Sequence, residues 1–471
     1  MHRGTPSFGY RSHNTILPWF APMVRSREAA DRKKILDRCL MMGADDLDEY
    51  LLAEILRRLP LKTVHHCKSV CKRWLSLIST PYFINQYVGF HRSVTPISSR
   101  YSVAFDLRNI PNSSPYQLDI WKRASSSFKS HDFFFDFYPK QPEHISPSFF
   151  DLVGSCNGLV LCRQLFRADF LHEGTKQHYY HVCNPITRDH WILPPPPPLS
   201  FSEVSAWDSV AFIDDGGTLA EDDFSIARGF KVVQIDGRCC DGDTFNVSIF
   251  STSSGEWRQL EVLCKDPFWF AYSYSGAVVC CNRMLYWVGG YFLIGYDPYN
   301  MSNECSYIKL PSQLVGSPPG WQTIGANQGR IVLCNRYPKE GVPLCIWELK
   351  LETGSWCLKH QLDFNSVPLL LAQNCAKYHI LAFHPFIDGD ILYISEADYR
   401  IVCLDLKNRS AQFVAFSLPC CRAFPFFLPW WQTRLSDLKK LDEANSMNPG
   451  VAAQDLRDTI NVAHSVIPKL Q

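Results

Sequence analysis

The sequence lacks the features that mark several classes of protein. Its 471 residues carry 47 Lys+Arg against 46 Asp+Glu, and a protein with balanced charge has no overall field that gathers nucleic acid or an anionic membrane surface. No stretch approaches the roughly 18 consecutive apolar residues that a membrane span requires. We therefore expect neither nucleic acid nor a membrane as a partner.

Motifs for metal binding and catalysis are also missing. The sequence contains no CxxC pair and no HxH or HExxH arrangement, which are the usual marks of zinc sites. It has no GxSxG elbow and no phosphate-binding glycine loop. The acidic residues Asp214, Asp215 and 221–223 cluster in a Gly-containing segment, which is typical of a solvated loop. We expect no cofactor, no metal and no catalytic residue.

Cysteine usage indicates the compartment. The 19 cysteines are odd in number and lie within apolar runs such as GAVVCC and RIVLCN. That distribution is typical of small hydrophobic side chains in a reducing environment rather than of disulfides. The expected location is the cytoplasm and/or the nucleus.

The length and the aromatic content indicate how the sequence is organised. A protein of 471 residues exceeds the size of a single core, and 14% aromatic residues favour pleated, half-buried surfaces. The pattern changes from helical to short alternating runs near residue 95. We predict a disordered leader at 1–44, a helical module at 45–88, an all-β domain at 95–430 and a helical or disordered tail at 431–471.

The helical module contains the stretch HHCKSVC, whose histidines and cysteines raise the question of a metal site. The run LLAEIL has helical spacing and ends before Pro60. A second helix is predicted from Thr63 to Ser79, with Cys67 and Cys71 on one apolar stripe. A zinc ion could take the two thiols, but no further ligand lies on that stripe. The full stripe is Val64, Cys67, Cys71, Trp74 and Ile78.

One unit recurs in the predicted β domain. It consists of an apolar strand, a second strand ending in a polar turn, and an aromatic residue opening the next strand, as in FNVSIFSTSSGEWRQL and LCIWELKLETGSWCLK. These aromatic residues are Trp191, Trp257, Tyr307, Trp356 and Phe413. Their spacing fits the ~40 to 50 residues of a four-stranded propeller blade with loop insertions. We predict a β-propeller, with six or seven blades.

Residues 47–83, LDEYLLAEILRRLPLKTVHHCKSVCKRWLSLISTPYF, resemble an F-box, the module that binds the Skp adaptor of cullin-based ubiquitin ligases. The sequence departs from the family where Leu47 is followed by Asp48 instead of proline. The resemblance implies adaptor contacts, with Trp74 as the expected anchor. The implied adaptor-binding residues are Leu47, Leu51, Leu52, Ile55, Leu56, Leu59, Pro60, Val64, Val70, Cys71, Trp74, Leu77 and Ile78.

The β domain resembles the F-box-associated, propeller-like domains of plant-type F-box proteins. The matching segments are GSCNGLVLC at 154–162, VCNPITRDHWILP at 182–194, and the G-x-W turns at 255–257 and 354–356. Asn-Pro favours turns, glycine supplies unusual backbone angles, and tryptophan can cover the joint between blades.

Together the two resemblances imply a non-catalytic substrate-recognition subunit of an SCF ubiquitin ligase. Its partners would be the Skp-type adaptor, the cullin reached through it, and an unknown target protein bound by the β domain. Two other functions remain open. One is a scaffold that binds the adaptor but forms no cullin complex, and the other is a carbohydrate-binding or carbohydrate-modifying propeller. The sequence identifies no substrate-binding residue, target or binding face.

Overall fold

The structure is a computed structural model that divides into two compact units, residues 1–90 and 91–471. The predicted leader at 1–44 lies outside the described residues, as does the predicted tail except for Trp431, Leu435 and Leu438. The described ranges are 48–95, 100–106, 117–124, 127–134, 148–166, 178–198 without 186 and 188, 209–215, 229–235, 244–263, 278–289, 291–300, 303–315, 322–327, 329–335, 342–363, 367, 379–384, 390–395, 400–416, 423–431, 435 and 438.

The described part of the first unit contains four helices, and the last of them extends past residue 90 to Val94. They are α1 Glu49–Leu56, α2 Leu61–Cys67, α3 Lys72–Ser79 and α4 Pro81–Val94. Pro60 lies directly before α2, and its carbonyl accepts hydrogen bonds from the N–H groups of Thr63 and Val64 at 2.9 and 3.0 Å. Thr80 caps α4, because its hydroxyl accepts the Phe83 N–H at 3.2 Å and Pro81 occupies the first helical position, where its missing N–H costs nothing.

The prediction of one helix from Thr63 to Ser79 is wrong. The backbone leaves the helix after Cys67, and Cys71 is extended, with φ −158° and ψ 168°. Two local side chains favour the break. The Ser69 hydroxyl donates to the His66 carbonyl at 2.7 Å, and the Cys71 sulfur accepts the Trp74 N–H at 3.5 Å as the cap of α3. Cys71 is exposed, so it is not part of the apolar stripe.

The second unit is built from strands and one short helix, α5 Ser312–Val315. The strands of its first half are β1 Tyr101–Asp106, β2 Gln117–Ala124, β3 Ser127–Phe134, β4 Ser148–Cys156, β5 Leu159–Phe166, β6 His178–Asn184, β7 Asp189–Ile192, β8 Ser209–Asp214, β9 Phe230–Ile235, β10 Thr244–Ser251, β11 Trp257–Leu263 and β12 Val279–Cys281. Those of its second half are β13 Met284–Gly289, β14 Phe292–Tyr296, β15 Ser306–Lys309, β16 Gln322–Asn327, β17 Arg330–Asn335, β18 Leu344–Lys350, β19 Ser355–Leu362, β20 His379–Phe383, β21 Ile391–Ser395, β22 Arg400–Asp405, β23 Ser410–Phe416 and β24 Ala423–Phe427.

These strands pair into six four-stranded antiparallel sheets. Five of the sheets consist of four consecutive strands, beginning at β4, β8, β12, β16 and β20. The remaining sheet has the order β24-β1-β2-β3, so it joins the two ends of the domain. The described residues contain no seventh sheet. The helical module followed by an all-β propeller domain therefore agrees with the prediction.

The first strand of each sheet lies on the inside of a ring. Neighbouring contacts run β4 to β8, β8 to β12, β12 to β16, β16 to β20, β20 to β24, and β24 back to β4. Ring closure depends on the pairing of β24 with β1, in which Tyr101 lies opposite Phe427 and Phe105 opposite Ala423. Every sheet then has two neighbours in the ring.

The five aromatic residues of the sequence repeat occupy the same place in the structure. Each lies in the fourth, outermost strand of its sheet. Two of them make the same hydrogen bond: the indole N–H of Trp257 donates to the Pro194 carbonyl at 2.8 Å, and that of Trp356 donates to the Lys309 carbonyl at 2.9 Å. Each bond joins a sheet to the end of the preceding one. The predicted role of tryptophan between blades is confirmed at these two positions.

The hydrophobic core lies between adjacent sheets. One cluster joins the β8–β11 and β12–β15 sheets through residues such as Val247 and Trp287. Another joins the β16–β19 and β20–β23 sheets through residues such as Ile346 and Phe383. Since each cluster needs both of its sheets, no sheet could bury its apolar surface alone.

Two histidines of β6 are buried with polar partners. His178 Nε2 lies 3.3 Å from the Gln234 side-chain oxygen, and His181 Nε2 lies 2.8 Å from that of Gln164. Burial lowers the pKa of His178 to about 4, helped by the Arg163 charge and opposed by the bond to Gln234. Burial, and then His190, lower the pKa of His181 to about 4. Both imidazoles are therefore neutral in the folded domain at neutral pH.

Stability of the β domain is expected to fall as the pH drops from about 6.5 to about 4. Over this window the unfolded state protonates both histidines while the folded state does not, so the free energy of unfolding decreases, by up to ~3 kcal/mol for each group. Urea unfolding at both ends of the window measures the loss. His178→Gln should reduce the pH dependence, whereas His66→Gln, at an exposed position, should leave it unchanged. Equal pH dependence in the wild type and in His178→Gln would contradict the assignment.

A glycine of the inner ring is expected to be irreplaceable. A Cβ at Gly325 of β16 would lie 2.7 and 2.9 Å from Phe383 atoms on the next inner strand. Gly325→Ala should therefore lower the free energy of unfolding by roughly 1 to 3 kcal/mol through overpacking. Gly154 of β4 faces Phe212 in the same way, but at 3.4 Å. Gly154→Ala is the matched control and should shift the midpoint of denaturant unfolding little. Equal midpoints for the two variants would show that the ring adapts to the clash.

Candidate functional site

The structure divides the predicted adaptor-binding residues into three groups. Six are buried in the core of the helical module and form its interior: Leu52, Leu56, Val64, Trp74, Leu77 and Ile78. Ile55 and Leu59 are half-buried. The exposed residues are Leu51, Pro60, Val70 and Cys71, and Leu47 lies outside the described residues. As the module is folded here, the buried group cannot be its contact surface.

Trp74 in particular is not an accessible anchor. Its side chain is 6% exposed, and the Tyr87 hydroxyl fixes the surrounding helices by donating to the Leu59 carbonyl at 3.0 Å. A helical stripe shows that its residues share one side of a helix, but not whether that side faces the core or a partner. The sequence therefore predicted the apolar residues of the module without separating its core from its surface.

The surface of the module carries an unusual share of exposed apolar side chains. Five of the twelve large exposed hydrophobic residues among those described lie within residues 50–82. They are Tyr50 at 64%, Leu51 at 51%, Val70 at 55%, Leu75 at 45% and Tyr82 at 63% exposure. We call these five residues the apolar surface. Tyr50, Leu75 and Tyr82 were absent from the predicted set, because they lie off the helical stripes used to choose it.

The prediction of a solvated acidic loop is wrong for Asp214, which is the last residue of β8, and for Asp215, which is buried. Residues 221–223 lie outside the described residues. The Asp215 carboxylate forms an ion pair with Lys231 at 2.9 Å, and both side chains are only 9% exposed. It also accepts hydrogen bonds from the Ser251 hydroxyl at 2.7 Å and the Ser253 N–H at 3.1 Å. Burial raises the pKa of Asp215, but Lys231 and the serine donors outweigh it, and the pKa is lowered. Asp215 is a structural carboxylate that holds the end of β8 to the β10–β11 turn.

A second group of polar residues lies where three inner strands end. We call it the rim cluster: Asn157, Asp214, Arg283 and Tyr299. The Asn157 amide donates to the Asp214 carboxylate at 2.6 Å. The Tyr299 hydroxyl donates to the Asp214 carbonyl at 2.7 Å, and the Arg283 guanidinium carbon lies 4.6 Å from the centre of the Tyr299 ring. The cluster thus joins residues of the β4–β7, β8–β11 and β12–β15 sheets.

Two thiols line the rim cluster. Burial raises the pKa of Cys156, helped by Asp214 and Cys280. Part of the Cys280 side chain reaches solvent, yet burial also raises its pKa to about 11 against the hydrogen bond from the Arg283 N–H. Both thiols are protonated at neutral pH, and a thiol is a poor nucleophile and a poor metal ligand. Within the described ranges no three His, Cys, Asp or Glu residues converge as a metal site.

The rim cluster was missed in the sequence, although a signal was present. The turn after β4 is Cys156-Asn157-Gly158, and the turn after β12 is Cys281-Asn282-Arg283. Both turns have two positive-φ residues, with φ 47° and 77° in the first and 49° and 68° in the second. Aligning the repeats at their inner turns, rather than at their outer aromatic residues, would have shown an arginine in the place of a glycine.

The part of the protein that the structure describes has no helix long and apolar enough to span a membrane. The repeat tryptophans of the β domain are engaged between sheets. Among the β-domain residues whose side chains the structure describes, the strongly exposed aromatic residues are Tyr291 and Phe413.

Comparison with known proteins agrees with both halves of this architecture. Residues 45–86 match the F-box domain family. Residues 129–417 match the family described as "F-box protein At3g26010-like, beta-propeller". Similar proteins come from Arabidopsis thaliana. The putative F-box/kelch-repeat protein At1g15680 is 26% identical over 77% of this chain and 82% of its own length.

Two further relatives are similar over much of the sequence. The F-box protein At1g49990 is 27% identical over 55% of this chain and 61% of its own length. The F-box protein At3g26010, whose name the propeller family carries, is 24% identical over 77% of this chain and 78% of its own length. The chain therefore belongs to the family of F-box proteins with an At3g26010-like β-propeller.

Proposed function

We propose that this protein is the substrate-recognition subunit of an SCF ubiquitin ligase. The observation that carries the proposal is the apolar surface of the F-box, which combines an F-box sequence match with five exposed hydrophobic side chains within residues 50–82. A module of this size cannot bury all of its apolar residues, and the remainder fits a groove on a helical partner. The proposed occupant is the Skp-type adaptor.

In this function the β domain binds the target protein. The six sheets form a ring closed by β24, and the connections between their strands differ in length from sheet to sheet. Binding residues are often carried by such connections on a rigid scaffold. The adaptor links the protein to the cullin and to the charged conjugating enzyme. Holding a target lysine near that enzyme raises its effective concentration to roughly the millimolar range. The protein forms no covalent intermediate, and its target is ubiquitinated and degraded in the cytoplasm and/or the nucleus.

The apolar surface, and not Trp74, is expected to determine adaptor binding. Leu51→Asp and Val70→Asp place charges on exposed side chains, so both variants should fold while losing most adaptor co-purification, because a buried interfacial carboxylate without a partner is costly. Leu358→Asp is the matched control, since Leu358 is also an exposed leucine, at 45%, but lies in β19. It should retain the adaptor. Circular dichroism checks that each variant is folded.

The same experiment separates a core role from a contact role. Trp74→Ala should lower the free energy of unfolding of the module by roughly 3 to 5 kcal/mol, and it should lose the adaptor only because the module unfolds. Full adaptor binding by folded Leu51→Asp and Val70→Asp variants would overturn the proposed surface. Adaptor binding without cullin in a pull-down would instead favour the non-degradative scaffold.

A further inference from the structure

Arg283 occupies a backbone position that favours glycine. It is the second residue of a two-residue turn between β12 and β13, with φ 68°. The equivalent turns after β4 and β16 have Gly158, with φ 77°, and Gly329, with φ 73°, in this place. A side chain in the left-handed region costs free energy that glycine avoids. The arginine side chain therefore weakens the turn. Arg409 is strained in the same way, so what sets Arg283 apart is the surroundings of its guanidinium.

The guanidinium of Arg283 is exposed and held in place. It stacks on Tyr299 at 4.6 Å, and Tyr299 is anchored by its bond to the Asp214 carbonyl at 2.7 Å. Arg283 forms no ion pair with any residue that the structure describes. Other cations of the domain do: Lys231 pairs with Asp215 at 2.9 Å, and Arg330 pairs with Glu348 at 3.2 Å.

The surroundings favour a carboxylate as the ligand. Stacking on an aromatic ring leaves the planar fork of arginine free for two parallel hydrogen bonds, which match a carboxylate. The Asp214 carboxylate lies in the same cluster and is bonded to Asn157 at 2.6 Å. Its negative charge would oppose a phosphate, which carries nearly two charges, more strongly than a singly charged carboxylate.

We propose that Arg283, stacked on Tyr299 at the inner rim of the propeller, binds a carboxylate of the target protein, either that of an Asp or Glu side chain or the terminal α-carboxylate. This inference rests on the proposed function, because it names the face and the chemistry by which the β domain recognises its target. The face is the one at which β4, β8 and β12 end.

The test is a selection of short peptides from a displayed random library on the purified 471-residue protein. The wild type should enrich peptides with an Asp or Glu at a fixed position, or with a free C-terminal carboxylate. Selected sequences are then made as synthetic peptides in four forms: with the acid, with the matching amide, with phosphoserine, and with an amidated C-terminus. Weaker binding of the peptide with the side-chain amide identifies an Asp or Glu side chain as the bound carboxylate. Weaker binding of the peptide with an amidated C-terminus identifies the terminal α-carboxylate instead.

The decisive variant is Arg283→Gly, because glycine relieves the strain of the turn and the variant should therefore fold. It installs the residue found in the equivalent turns, so the thermal unfolding midpoint should stay the same or rise. Binding of the acidic peptides should weaken roughly tenfold or more, the effect of losing a hydrogen bond to a charged group. Arg283→Lys, which keeps the charge but not the fork, should bind with intermediate strength.

Arg409→Gly is the matched control. Arg409 is also an exposed arginine with a positive φ, of 50°, but it lies in the outer turn between β22 and β23. Its replacement removes the same charge and relieves the same kind of strain, and peptide binding should not change. Equal binding by the wild type and Arg283→Gly, a library without acid enrichment, or a preference for phosphoserine would each overturn the inference.

Adaptor co-purification is measured on the same samples to keep the two proposals distinct. Arg283→Gly should retain the adaptor, since the substitution lies outside the F-box. A wild type that selects acidic peptides but does not bind the adaptor would overturn the proposed function alone. A wild type that binds the adaptor while Arg283→Gly keeps its acidic peptides would overturn the carboxylate site alone.

Discussion

The pairing of β24 with β1 is the contact on which the β domain depends. It joins segments separated by more than three hundred residues, and only this pairing gives the β1–β3 strands an inner neighbour. Arg100 reinforces it: its backbone carbonyl accepts the Leu428 N–H at 2.9 Å, its side chain donates to the Leu428 carbonyl at 2.8 Å, and it stacks over Trp430 at 4.4 Å.

The two units use their apolar residues in opposite ways. The ring can bury apolar residues between its sheets because each sheet has two neighbours, and Trp257 and Trp356 of its aromatic repeat are bonded across those joints. The F-box has too few residues for this, and after Trp74 and Phe83 are buried, Leu51 and Tyr82 remain in solvent. The unburied remainder is a physical consequence of size. A partner that covers it also stabilises the module, since binding to the folded state shifts the unfolding equilibrium.

Sequence patterns predicted those features that repeat along the protein or have a regular period. The outer aromatic residues, the turn glycines Gly255 and Gly354 and the order of the domains belong to this group. The break between α2 and α3 does not, because the spacing of Val64, Cys67, Trp74 and Ile78 continues through it. The Ser69 and Cys71 side chains that favour it make only two local bonds. Nor does burial follow from a stripe, since the two sides of a short helix can both be apolar.

The rim cluster was beyond such patterns for a different reason: its members are brought together only by the packing of three consecutive sheets. Asn157 and Tyr299 are more than a hundred residues apart, and each looks like an ordinary turn residue in its own segment. Arg283 departs from the glycine of the equivalent inner turns, and Arg409 departs in the same way from Gly354 of an equivalent outer turn. A strained turn therefore does not by itself mark a binding site. Arg283 differs from Arg409 because its guanidinium lies over Tyr299, which is bonded to Asp214 of the neighbouring sheet.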